Sequence, residues 1–250
     1  MIPRIIHYCW FGRGEYPETI QKCIDSWKQM DDTYEFMLWN EDSYDISRYS
    51  FIREAYEAKQ YAFVSDMVRF DVLMRYGGVY LDTDIEIVRS FDDVLEKGVV
   101  LSGDESGNLD GSFIAGEKGH PFFAEMLSIY ESMHFKKENG EWNKTVVNVW
   151  MQELLKKSGF VDAKKQTVLN GDIFIFPLEY FCAMNQFTGK ICATSTTYCI
   201  HHHTYSWTSK KTNVIRFFRT RILVPIVGVR NYEIITKRLH KILHHKNYVG

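Results

Sequence analysis

Two adjacent glycines, Gly77-Gly78, divide a helical pattern from a short apolar extended segment, and this junction does most to constrain the fold. Before it, Phe63, Met67, Phe70 and Met74 recur at i, i+4, i+7 and i+11, the spacing of one buried helix face within a helical stretch from about Ile52 to Tyr76. After it, Val79-Tyr80-Leu81 reads as a strand that runs into Asp82-Thr83-Asp84 and an extended Ile85 to Val88. Glycine accepts backbone angles that a Cβ would forbid, so the pair permits a sharp turn that lays the helix back on the strand.

In extended backbone, residues two apart point to the same side, so Asp82 and Asp84 share a face. Their carboxylates repel unless a cation lies near. Carboxylate oxygens suit Mg²⁺ or Mn²⁺, which also take phosphate oxygens. The carboxyl ends of strands are where open α/β sheets bind ligands. Aspartate also turns and caps chains, so Asp-x-Asp alone is a weak signal. Asp66 and Arg69, at i and i+3 on the preceding helix, share a face with Ser65 beside them. That face reads either as solvated surface or as an acid and a guanidinium presented to a nucleotide sugar. Asp71 lies on another face and reads as structural.

The remaining pattern is α/β. Ile5 to Trp10 reads as a buried strand, followed by Gly12 and Gly14 and a helix opened by Pro17, with Ile20, Cys23, Ile24 and Trp27 on its apolar face. Glu35 to Trp39 is a second strand, and strand–helix–strand is how nucleotide-binding sheets commonly begin. Further strands are expected at Val99–Ser102, Phe113–Ala115, Ile173–Phe176 and Tyr198–Ile200. Helices are expected from His120 to His134, from Thr145 to Lys157 and, amphipathic, from Tyr232 to His245.

The run from Ala62 to Asp84 resembles the sugar-binding region of the DXD glycosyltransferases, a group with fungal initiating mannosyltransferases and bacterial capsular polysaccharide enzymes. The glucosyltransferase domains of clostridial toxins are similar in fold. Ile2 to Gly12, Ser26-Trp27, Trp39-Asn40-Glu41, Gly116 to Pro121 and Ile200 to Trp207 match further segments of that family in order. The resemblance implies a GT-A fold, a Rossmann-like mixed sheet flanked by helices, over residues 1–208, with a basic amphipathic C-terminal helical appendage over 209–250. It implies a retaining transfer of a hexose from a UDP- or GDP-sugar to a glycan or lipid-linked oligosaccharide, in capsule, exopolysaccharide or other surface polysaccharide synthesis. It assigns Mn²⁺ or Mg²⁺ to Asp82, through water, and to Asp84 directly. Trp10 would stack on the nucleobase, Asp66 and Arg69 would hold the donor sugar and diphosphate, Tyr80 would line the nucleotide pocket, and Ser206 and Trp207 would close over the phosphate. His201 is the candidate of the His201-His202-His203 run for metal or phosphate. No protein nucleophile is established for the family, and none is assigned. The family has an asparagine where this chain has Gly111, and Asp110 or Ser112 stands in reach of that polar role.

Charge is uneven. Residues 209–250 hold 10 Lys/Arg and one acid, Glu233, leaving 20 Lys/Arg and 31 Asp/Glu in the rest. Arg216, Arg219, Arg221, Arg230, Lys237, Arg238 and Lys241 lie among Phe217, Phe218, Ile222, Leu223 and Val224, a mixture that suits an anionic membrane surface and equally reads as a solvated surface helix or a segment buried against the catalytic domain or a partner. No nucleic-acid motif accompanies it. The five cysteines, with no Cys-x-x-Cys and no linear zinc spacing even around Cys199, point to a reducing compartment. With neither a signal-peptide pattern nor an apolar run of spanning length, the expected place is the cytoplasm, peripheral on the inner face of a membrane.

Two other readings compete. A haloacid-dehalogenase-type phosphohydrolase also uses Asp-x-Asp, but at the end of its first strand, and here the motif follows two strands. A non-catalytic sugar-binding module would account for the aromatics but not for paired acids beside Arg69.

Overall fold

The structure is a computed structural model that describes residues 1–204, 222, 224–228 and 231. The chain divides into two compact units, one of Met1–Met184 with Ile191–Trp207 and one of Asn185–Lys190 with Thr208–Gly250. The second unit contains a turn held by Asn185, whose side chain accepts from Phe187 N and Thr188 N, and a short helix Val224–Val227. The amphipathic helix expected at Tyr232 to His245 lies outside the described residues.

The first unit opens as its pattern dictates. Strand β1 (Ile5–Cys9) leads to helix α1 (Glu18–Met30) and strand β2 (Glu35–Trp39). Helix α1 buries Ile20, Cys23, Ile24 and Trp27, the face its spacing marks. The single helical stretch expected before the glycines is two helices, α2 (Ser50–Glu57) and α3 (Tyr61–Tyr76). Between them Lys59 takes a left-handed φ of 56°, which interrupts the helix. Helix α3 ends at Gly77 and leads into β3 (Gly78–Leu81), then β4 (Ile85–Ile87), β5 (Val99–Gly103) and β6 (Leu109–Gly116). Helices α4 (Pro121–Glu131) and α5 (Val147–Lys156), strands β7 (Thr167–Leu169) and β8 (Ile173–Phe176), helix α6 (Leu178–Phe181) and strand β9 (Cys199–His201) complete the unit. The sequence pattern missed β7 and α6, which are short.

Seven strands form one mixed sheet in the order β2-β1-β3-β6-β5-β8-β7, and β4 pairs with β9 in a separate antiparallel ribbon. Strand β1 runs parallel to β2 and β3, β6 runs antiparallel to β3 and β5, and β8 runs parallel to β5. This is the mixed sheet flanked by helices that the resemblance implied. Both faces are covered, so side chains alternate between two cores. Val79 and Leu81 pack with Trp27 of α1 and with Phe181, while Tyr80 faces the core built on α3 and α4.

That alternation decides where the acids go. Asp82, two residues after Tyr80, emerges on the α3 side of the sheet. The two glycines make the reversal possible: Gly77 and Gly78 have φ of 68° and 111°, and a Cβ on Gly78 would lie 2.6 Å from Ile5 O.

Candidate active site at the end of β3

Helix α3 is buried almost all round, so its acid–guanidinium face is interior. Asp66, Arg69 and Asp71 are all buried. Arg69 Nη2 lies 2.8 Å from Asp66 Oδ1 and 3.6 Å from Asp82 Oδ1. Its Nη1 donates to Gly111 O, and its Nε donates to Ser65 O at 3.1 Å. The guanidinium sits 4.6 Å above the centre of the Tyr80 ring. A planar fork satisfied on several sides suits a buried cation, because an unpaired charge there would be costly. Burial raises the Asp66 carboxyl to about 6, against the opposing pull of Arg69. Asp71 binds elsewhere: it accepts from Tyr44 Oη and Tyr49 Oη at 3.0 and 3.1 Å and from Arg75 at 3.0 Å.

The two acids of the motif are held differently. Tyr80 Oη donates to Asp82 Oδ1 at 2.9 Å, fixing a carboxylate whose side chain stays 34 % exposed. Asp84 is enclosed, its side chain 12 % exposed. Its Oδ2 accepts from Thr204 N at 2.8 Å and Thr204 Oγ1 at 3.0 Å, and its Oδ1 lies 3.2 Å from His201 Nε2. Burial opposes the Asp84 charge, but His201 and Thr204 together hold the carboxyl well below the usual range. Burial likewise opposes a charge on His201, and Asp84 overrides it, raising the imidazole well above its ordinary value. At Asp82 burial prevails and the carboxyl is raised.

His201 reaches this place because β9 pairs with β4, aligning His201 with Ile85 one residue beyond Asp84. One ligand atom from each of Asp82, Asp84 and His201 lies within 4.8 Å of the others. Two carboxylates and an imidazole fit a divalent cation of the Mn²⁺ or Mg²⁺ class. His201 and His203 converge, with ring centres 3.9 Å apart, but not by strand alternation: β9 ends at His201, and His203 takes a left-handed φ of 48°. His202 turns away to Glu86 Oε2 at 2.8 Å.

Trp10 leaves the carboxyl end of β1, which runs parallel to β3, so Trp10 and Asp82 open on the same end of the sheet. The Trp10 indole donates to Gly14 O at 2.7 Å and meets Tyr16 edge-on at 4.9 Å. It lines a cavity of about 500 Å³ with Arg13, Tyr16, Asn40, Glu41 and Asp42. Ser206 and Trp207 lie outside the described residues.

Thr204 and Cys182 were not singled out by pattern. Thr204 carried one signal, its place three residues beyond His201 in the matched segment. Cys182 carried none. Gly111 is explained by space: a Cβ there would lie 2.7 Å from Val147 Cγ1 and 3.0 Å from Arg69 Nη1, so α5 fills the room a side chain would need.

Comparison with known proteins finds similarity to glycosyltransferases. Residues 17–101 match the model of the glycosyltransferase sugar-binding region containing the DXD motif. Inositol phosphoceramide mannosyltransferase 3 of Schizosaccharomyces pombe is 29 % identical over 134 residues, which are 50 % of this chain and 36 % of that protein. The chain therefore spans little more than a third of the length of this fungal relative. An uncharacterized glycosyltransferase, L373, of Acanthamoeba polyphaga mimivirus is 26 % identical over 239 residues, 91 % of this chain and 92 % of that one. Among solved structures, the PaToxG glycosyltransferase aligns with 62 % of this chain and 70 % of its own, at 22 % identity and a TM-score of 0.48. Residues 17–101 of this chain thus match a glycosyltransferase sugar-binding region, and Asp82-Thr83-Asp84 is the Asp-x-Asp within the matched span.

Proposed function

We propose that this chain is a metal-dependent glycosyltransferase that moves a hexose, with retention, from a UDP- or GDP-sugar to a glycan or lipid-linked acceptor. The observation that carries the reading is the convergence of Asp82, Asp84 and His201 beside the buried Arg69 at the end of β3. Mn²⁺ or Mg²⁺ is the expected ion, held by those three residues, and when bound it would neutralise charge on the departing nucleoside diphosphate.

The chain's own groups do the positioning. Thr204 and His201 fix Asp84, and Tyr80 fixes Asp82, so neither carboxylate has to reorganise. Arg69, locked by Asp66, Gly111 and Ser65, supplies a cation in a pre-set orientation for the diphosphate or sugar. Trp10 and its cavity provide an aromatic surface for the nucleobase. Ser206 and Trp207 are proposed to cover the phosphates.

The fungal relative's name speaks of mannosyl transfer to inositol phosphoceramide. That supports a mannosyl donor and a lipid with a polyol headgroup as one acceptor class, beside surface polysaccharides. The basic tail would hold the enzyme on the cytoplasmic face of an anionic membrane; no helix among the described residues is long and apolar enough to cross one.

The test is donor hydrolysis and binding across UDP- and GDP-sugars, with Mn²⁺ or with chelator, for wild type and Asp84→Asn. Turnover of one donor that needs both the metal and Asp84 supports the reading. Failure of every nucleotide sugar to bind with metal present overturns it.

A further inference from the structure

Beside the DXD acids lies a second group of ligand-bearing side chains. One ligand atom each from Asp110, Cys182 and His201 lies within 4.8 Å of the others. Cys182 is 1 % exposed and His201 9 %. The His201 ring has one nitrogen, Nε2, against Asp84 and a polar side-chain contact to Cys182, while its buried Nδ1 makes no hydrogen bond of ordinary length. A buried polar atom without a partner is unfavourable and marks a place where a ligand belongs. Ser102 Oγ and Ser112 Oγ both lie 3.3 Å from the Cys182 sulfur, hydroxyls able to donate to a thiolate.

We propose that Asp110, Cys182 and His201 form a second metal site that takes one thiophilic divalent cation of the zinc class. The donor sets differ in kind. Asp82 and Asp84 offer hard oxygens, whereas this group offers sulfur, nitrogen and one oxygen, a set that favours Zn²⁺ over Mg²⁺ or Mn²⁺. Three protein ligands leave the fourth tetrahedral position to water. Bonds of about 2.0–2.3 Å set ligand atoms about 3.3–3.8 Å apart, so atoms within 4.8 Å of one another need close by at most about 1–1.5 Å. Binding replaces the Cys182 S–H and the His201 Nδ1–H bonds by bonds to the metal and releases two protons to solvent, with Nε2–H staying on Asp84. The sequence offered no linear spacing for such a site, because β6, the segment after α6 and β9 each supply one ligand.

Metal-free full-length protein titrated with Co²⁺ tests this without reference to turnover, so its result is separate from that of the transferase reading. One equivalent, apart from any Co²⁺ taken by Asp82 and Asp84, should bind with a thiolate-to-cobalt charge-transfer band that one equivalent of Zn²⁺ displaces. Cys182→Ser should abolish the band and Asp110→Asn should weaken binding about tenfold or more. Cys192→Ser and Asp84→Asn should keep the band. If Cys182→Ser does not fold, the Asp110→Asn affinity decides. Absence of a thiolate band in wild type, a band unaffected by Cys182→Ser, an affinity unaffected by Asp110→Asn, or loss of the band in Cys192→Ser overturns the proposal.

Discussion

The guanidinium of Arg69 lies over the ring of Tyr80, 4.6 Å from its centre, and so joins the buried helix α3 to the strand that delivers the DXD acids. Tyr80 in turn donates to Asp82. One cation thus organises a helix, a strand and a carboxylate, and its fork cannot be replaced by a point charge. Arg69→Lys should weaken donor binding about tenfold, read by titration with the donor identified from the panel. Arg69→Met leaves Asp66 without its buried partner and should cost about 3–5 kcal/mol in denaturant unfolding.

Asp84 is enclosed and triply held, whereas Asp82 remains open to a ligand. Asp84→Asn keeps the shape but removes the charge, so metal-dependent donor hydrolysis should fall about 100-fold or more. Thr204→Val removes the hydroxyl donor and leaves the Thr204 N–H in place. It should weaken Mn²⁺ binding by a smaller factor, about tenfold, measured by calorimetry.

Gly111 sits against Val147, Arg69 and Asn148, with Asn148 Oδ1 accepting from its N–H at 3.1 Å. Gly111→Ala should destabilise by about 1–3 kcal/mol through overpacking. Because the added carbon also presses on the Arg69 guanidinium, donor affinity should drop in the same variant.

His7 is a pH-sensitive element of the core. Its Nε2–H donates to Gly77 O at 2.8 Å, and its Nδ1 accepts from Trp39 Nε1–H at 3.1 Å, so the neutral ring is satisfied on both sides. A proton on Nδ1 would face the indole N–H. Burial accordingly lowers the His7 pKa to about 4. The unfolded chain, with an ordinary value near ~6.5, takes up the proton first as pH falls. Stability should therefore be full above about pH 6.5 and decline toward about pH 4, by about 3 kcal/mol in all. Urea melts across that range should show the slope in wild type. A His7→Asn variant, less stable throughout, should lack this contribution.

Much of the site was legible because its parts are local. The helix, the glycines, the strand and the acids run consecutively from Tyr61 to Asp84, and helical spacing, glycine chemistry and strand alternation each act over a few residues. The β1–α1–β2 opening was legible for the same reason. The burial of Asp66 and Arg69 was not, since a polar face at i and i+3 looks the same whether water or a sheet covers it.

The sequence by itself thus determined the strand leading into Asp82 and Asp84, the helix bearing Asp66 and Arg69, and the candidacy of His201, but not that the two acids form a turn between β3 and β4, closed by Ile85 N donating to Asp82 O at 3.1 Å. Only the tertiary structure decided that β6 would run antiparallel between β3 and β5, carrying Asp110 and Gly111 to the acids. It alone seated Thr204 on Asp84 and brought Cys182 to His201. The physical reason is that these contacts join segments about 20 to 120 residues apart. They are set by strand pairing and by the burial of two sheet faces, which no local pattern of residue types encodes.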